Sequence, residues 1–216
     1  LRVKLELVED DVETTELQLR LAAAHEELRS VDEALDLYLD VFARRAGNQP
    51  ALMALARYAE DLSYSERVSP VLVEFYSATG AWGELIELYQ VRREMCSDPQ
   101  EQSEFSARIA LIYQDRLRQF DDAIGAMADA WKRAPERDAY REALTDIVER
   151  QEAWEVLAGV YEDVLPEVFD PERIKDLRVR LAELYRGRLG QMVEAEENLR
   201  EALRQDEQDA SIFDQL

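Results

Sequence analysis

The sequence is poor in the residues that carry chemistry or staple small folds. Its 216 residues include one cysteine, Cys96, and one histidine, His25. A single cysteine excludes an internal disulfide, and the pair excludes a Cys/His zinc cluster. The lone thiol points to a reducing, cytoplasmic setting, and nothing else in the chain speaks to location. No apolar run approaches the roughly 20 residues of a membrane span, and no secretory signal is visible at Leu1. Glycine-rich phosphate loop, zinc-protease motif, calcium loop, nucleophile elbow and dinucleotide fingerprint are all missing. Paired carboxylates such as Glu26 and Glu27 occur all along the chain, so they do not mark general acid–base chemistry. The sequence therefore reads as a protein that is not an enzyme, with no catalytic residue, metal or cofactor.

Basic residues are the next shortfall. Lys and Arg number 26 against 48 Asp and Glu, a formal charge of −22. Such a surface repels phosphate backbones, which excludes nucleic acid and favours a basic or neutral protein partner. The same charge also serves simply to keep a long helical surface soluble. Glycine and proline are scarce too, seven and six respectively. What remains is Ala, Leu, Glu, Arg and Gln, the strong helix formers, so the fold class is all-α.

What the chain does contain is an internal repeat. Ala81-Trp82 recurs 72 residues later as Ala153-Trp154. The same spacing joins Tyr89 to Tyr161, Asp98-Pro99 to Asp170-Pro171, and Arg108 to Arg180. It continues without a gap through Ala110 and Ala182, Tyr113 and Tyr185, Ala123 and Ala195, and Ala130 and Ala202. A third copy lies upstream at an offset of 88, where Leu17, Arg20, Ala22 and His25 match Phe105, Arg108, Ala110 and Tyr113. Ala34 matches Ala123 once one residue is allowed for in the turn. The difference between the two offsets, about one helix, predicts an extra helix within residues 49–80. Pro70 predicts a break there, because proline removes an amide from the helical ladder. The repeat modules then fall at about 1–60, 81–152 and 153–216.

Capping signals place the helix starts. Asp98-Pro99-Gln100-Glu101 reads as N-cap, proline at N1 and acid at N3, and Asp170-Pro171-Glu172 repeats the first two features. Ser30-Val31-Asp32-Glu33 reads as a capping box. Leu177, Leu181, Leu184 and Tyr185 share one helix face, and Ala195, Leu199, Ala202 and Leu203 one face of the next.

These residues resemble the tetratricopeptide repeat, a helix–turn–helix of about 34 residues with small side chains where its helices cross. Ala110 and Tyr113 stand for the first helix of a hairpin, and Ala123, Met127, Ala130 and Pro135 for the second. Leu181, Ala182 and Tyr185 with Ala195, Leu199 and Ala202 repeat the pattern, as do Leu21, Ala22 and His25 with Ala34, Tyr38 and Val41. Trp82 and Trp154 suggest a competing register, but the alanine pattern spans two helices and the tryptophan motif only one. The resemblance implies a right-handed α-α superhelix of about twelve antiparallel helices, a single solenoid over 1–216. It implies a scaffold for protein–protein interaction, with a groove lined by first-helix residues. Carried over by position, these are Glu16, Glu26, Glu27, Glu104, Gln114, Asp115, Asp176, Glu183 and Arg186. The alternative is a structural spacer or assembly segment of a larger complex without a peptide groove.

Other conspicuous residues read as structural. His25 holds a helix-packing position, Cys96 is an ordinary thiol, and Trp82 and Trp154 belong to the core. Arg20, Arg108 and Arg180 are expected in interhelix ion pairs. Residues before Asp10 and after Ser211 match incomplete helices, so the chain reads as a fragment of a longer protein. Leu17, Leu21 and Leu28 would then offer apolar faces for a preceding unit or for end-to-end self-association.

Overall fold

Runs of helix formers with little glycine or proline leave the backbone one favourable state. The computed structural model, which describes residues 11–206 and 209–213, adopts it throughout. The first five helices are α1 (Asp11–Glu27), α2 (Val31–Arg44), α3 (Gln49–Ala59), α4 (Ser65–Thr79) and α5 (Trp82–Met95). Then come α6 (Pro99–Ile112), α7 (Phe120–Arg133), α8 (Asp138–Gln151), α9 (Trp154–Val164), α10 (Pro171–Leu184) and α11 (Met192–Leu203). A single turn, α12 (Ala210–Phe213), closes the series. The expected dozen is thus eleven full helices and one turn, with no strand among the described residues. None of these helices is long and apolar enough to cross a membrane. The chain ends on which the fragment expectation rests, residues 1–10 and 214–216, lie outside the described residues.

Two caps form as the sequence suggests. The Asp98 side chain accepts from the Gln100 amide at 3.1 Å, and Asp170 from the Glu172 amide at 3.3 Å. The capping box at Ser30 does not: Ser30 sits at the N-cap, but its side chain makes no cap hydrogen bond. Its φ of −90° and ψ of 67° lie outside the extended conformation that Asp98 and Asp170 share. Pro70 also departs from expectation, because it lies inside an unbroken α4. The amide it lacks would have bonded the carbonyl of Glu66. Both residues are exposed, so solvent can satisfy that carbonyl.

The chain packs as two compact units, Leu1–Arg92 and Arg93–Leu216. In the first, α1 and α2 form the tightest pair, and α3 and α4 follow in succession. Leu17 is buried here at 3 % exposure rather than kept for a neighbouring unit, whereas Leu28 is 75 % exposed. In the second unit the tight pairs are α6 with α7 and α10 with α11, with α8 and α9 between them. Its centre is Trp131, fully buried and edge-on to Tyr161 at 4.9 Å.

The alanine register holds. Ala110, Ala123, Ala130, Ala182, Ala195 and Ala202 are all buried, at 3 % exposure or less. The tight pairs are the hairpins that this register defines. The one-residue gap between copies also has a physical cause. α6 and α10 end in π-helical turns, Tyr113–Leu117 and Tyr185–Leu189. There the amides of Gln119 and Gln191 reach back six residues to the carbonyls of Tyr113 and Tyr185, at 3.0 and 2.9 Å. After α1 the Ser30 amide reaches back only five residues, to the His25 carbonyl at 2.9 Å. A π-turn takes in one more residue than its α counterpart. The first hairpin lacks that residue and keeps its packing.

Within each unit, charged pairs tie several helices to the next but one. In the first unit Glu26 on α1 accepts from Arg57 on α3, and Asp36 on α2 pairs with Arg67 on α4. In the second, Arg93 at the end of α5 pairs with Asp129 on α7 at 3.2 Å, and Lys132 on α7 with Asp163 on α9 at 2.5 Å. Asp138 on α8 then pairs with Arg173 on α10 at 2.9 Å. Arg57–Glu26, Arg67–Asp36, Lys132–Asp163 and Lys175–Asp206 are each 31 residues apart, close to one repeat length. Asp129 is half-buried between two arginines. Burial alone would push its carboxyl up, but hydrogen bonds from Arg133 and Ser106, with the charges of Arg133 and Arg93, hold it below the usual carboxylate value.

Two outcomes are expected. Ala123→Leu should overpack the α6/α7 crossing and cost about 1–3 kcal/mol; a thermal melt unchanged by it would contradict the register. Asp129 has a lowered folded-state pKa, so its contribution is present above the unfolded value of about 3.9 and fades as pH falls through the folded value. Asp129→Asn should therefore destabilise by about 1–3 kcal/mol at neutral pH and by less near pH 3.5. Urea unfolding at both pH values checks this, and equal losses would count against it.

Candidate functional site

The nine first-helix candidates divide by what they touch. In the first unit, Glu16 and Glu27 on α1 are exposed and form no ion pair among the described residues. Glu26 is half-buried and used by the fold: besides Arg57 it accepts from the Tyr58 hydroxyl at 2.5 Å. Burial and that hydrogen bond push the Tyr58 phenol up to about 12. In the second unit Glu104 pairs with Arg137 at 3.1 Å, and Asp176 with Arg180 at 2.8 Å. Gln114 and Asp115 lie in the π-turn after α6, half-buried and exposed respectively. Glu183 is exposed near the end of α10, close enough to Arg180 to raise that guanidinium's pKa further after Asp176. Arg186 is exposed in the π-turn that follows.

Other expectations need revision. Trp82 and Trp154 are half-buried at the first positions of α5 and α9, not core. The Arg188 guanidinium lies 4.4 Å from the Trp154 ring centroid, a cation–π contact on the surface. The core tryptophan is Trp131. Arg180 pairs within its own helix rather than between helices, Arg108 lies 5.8 Å from the Phe105 ring, and Arg20 is exposed. The Cys96 thiol sits 2.9 Å from a Glu101 carboxylate oxygen; burial and that hydrogen bond push its pKa up, the reverse of activation. His25 is half-buried, and its Nδ1 has no hydrogen-bond partner. Among the described residues no group of three His, Cys, Asp or Glu side chains is placed to hold a metal ion.

One cavity stands apart from all of these residues. Within the first unit α3, α4 and α5 enclose a half-open space of about 220 Å³. Its walls are mostly apolar, and its polar members are Glu60, Tyr76, Glu84 and Glu87. Sequence reasoning missed it because three glutamates among 48 acidic residues carry no signal by themselves. A comparison at the 72-residue repeat spacing would have picked them out. Tyr76, Glu84 and Glu87 fall opposite Val148, Val156 and Gly159.

No family model and no curated protein matches the chain. Among solved structures it is similar to TTC0263, a thermophilic TPR protein of Thermus thermophilus. The identity is 19 %, over 93 % of this chain and 96 % of that one, with a TM-score of 0.33. It is also similar to MamA protein, at 16 % identity over 92 % of this chain and 95 % of that one, TM-score 0.34. A second MamA structure matches at 15 % identity, over 88 % and 96 %, TM-score 0.35. With backbone agreement this low, neither neighbour lends this chain a partner or an activity. The chain's own geometry gives the fold: helical hairpins of tetratricopeptide-like pattern, closed on buried alanines.

Proposed function

We propose that this chain is a protein-interaction scaffold, without catalytic chemistry, that holds a basic or neutral segment of a partner protein. The observation that carries the reading is the acid left over once the helices are tied together. Glu16, Glu27 and Asp115 stand exposed on the first helices of their hairpins and form no ion pair among the described residues. Gln114, Glu183 and Arg186 are the further candidates in the second unit, and Glu26, Glu104 and Asp176 hold carboxylates already shared with arginines. Unpaired surface carboxylates steer and orient a positive partner more than they add affinity.

A spacer or assembly role is the second reading. Leu28, Met53 and Leu62 in the first unit and Phe169 in the second are each more than 70 % exposed, which suits contact with another chain, including a second copy of this one. We also read α3 as the inserted helix of the sequence. Three helices separate the first hairpin from the second, and two separate the second from the third.

Capture of partners on the immobilised protein is expected at low salt and should fall steeply near 1 M salt, where the screening length is about 3 Å. The triple variant Glu16→Gln, Glu27→Gln, Asp115→Asn should lose the same proteins. Capture that survives both, and depends instead on Phe169 or Leu28, would favour the assembly reading.

A further inference from the structure

We infer that the cavity among α3, α4 and α5 is a docking pocket for one lysine or arginine side chain of the partner protein. This rests on the scaffold reading above and gives it a second site of stated chemistry.

The walls match a cation on an aliphatic stem. Ala56, Ala59, Leu72, Leu88 and Val91 supply the apolar part. Lysine and arginine bury such stems against apolar surface while the charged head stays with polar groups. Those groups are present: Glu60, Glu84 and Glu87 line the same cavity, are exposed, and form no ion pair among the described residues. Between the walls stands Tyr76, only 7 % exposed. Its hydroxyl has no hydrogen-bond partner among the described residues. Burial first, and then the charges of Glu84 and Glu87, raise its pKa. The phenol lines the cavity beside two carboxylates, where its hydroxyl oxygen can accept from a donor that enters.

The chain itself does not fill that place. The basic residues of the three enclosing helices are all directed elsewhere. Arg57 goes to Glu26, Arg67 to Asp32 and Asp36, Arg92 to the Ser65 carbonyl at 3.4 Å, and Arg93 to Asp129. Size narrows the occupant. At about 30 Å³ per water, 220 Å³ holds about seven waters, near the heavy-atom count of one long side chain and below the volume of a drug-sized ligand site. A bare divalent ion is disfavoured, since no metal-holding group forms among the described residues.

The repeat supplies an internal control. At the 72-residue spacing, Tyr76, Glu84 and Glu87 become Val148, Val156 and Gly159, while Leu72 stays leucine as Leu144. Val91 becomes Asp163, which is engaged by Lys132. The hairpin therefore needs the apolar positions and not the acidic ones. At the same spacing Ala56 and Ala59 of α3 become Ala128 and Trp131 of α7, and Glu60 becomes Lys132.

The test uses two short peptides, Ala-Ala-Lys-Ala-Ala and the same sequence with norleucine for lysine, titrated into the whole chain and followed by amide NMR shifts. The lysine peptide should bind in the millimolar range and move the amides of Ala59, Tyr76, Glu84 and Glu87; norleucine should bind at least tenfold more weakly. Tyr76→Phe should weaken lysine binding several-fold. The triple variant Glu60→Gln, Glu84→Gln, Glu87→Gln should abolish it, with an unchanged melting temperature showing that the fold is intact. Equal binding of the two peptides, shifts elsewhere, or binding unaffected by the triple variant would overturn the pocket. If that variant still captures whole partners and the Glu16/Glu27/Asp115 variant does not, the pocket fails and the scaffold reading stands. If neither variant affects capture, both fail.

Discussion

Two helices that meet through methyl groups can approach more closely than two held apart by leucines. This chain uses that closeness once per hairpin. Ala22 against Ala34, Ala110 against Ala123 and Ala130, and Ala182 against Ala195 and Ala202 are all nearly or wholly removed from water. The larger apolar residues then fill the space around the crossing rather than the crossing itself: Leu35 and Phe42 in one unit, Trp131, Leu177 and Leu181 in the other. Everything else is arranged around pairs whose separation the alanines set.

Function follows from what these pairs leave outside. Much of the apolar surface is buried inside the hairpins and between neighbours, and the outer faces carry mostly charge, with Leu28, Met53, Leu62 and Phe169 exposed among it. Some basic residues link alternate helices and others pair within their own helix, and the carboxylates outnumber them nearly two to one. The result is an acidic exterior whose negative charge has no internal answer at Glu16, Glu27 and Asp115, or around Tyr76.

How much of this could be read beforehand depends on how local the determinant is. The caps at Asp98 and Asp170 were legible because aspartate before proline acts within three residues. The hairpins were legible because the alanine spacing repeats. Ser30 misled because it has the right neighbours but the wrong backbone angles, which no short motif reports. Pro70 misled because its cost depends on whether the orphaned carbonyl faces water. The tryptophans were only partly legible because repetition identifies equivalent positions, not how deeply they are buried: Trp82 and Trp154 recur half-buried, Trp154 against the edge of the core, while Trp131, which does not recur, is fully buried. The cavity itself was not legible because its carboxylates come from α5 and from the end of α3, brought together only by packing.

The ladder has a mechanical consequence. The contacts within a hairpin are mainly apolar, with a few hydrogen bonds such as Ser106 to Asp129. The ties between alternate helices include exposed ion pairs, each worth at most about 1 kcal/mol and screened as ionic strength rises. Within each unit, stiffness along the stack and stiffness across a hairpin are therefore set by different forces. Concentrated salt loosens the first and leaves the second, so the hairpins behave as rigid plates joined by electrostatic springs. Each unit can adjust its curvature to what it holds without opening a single alanine contact.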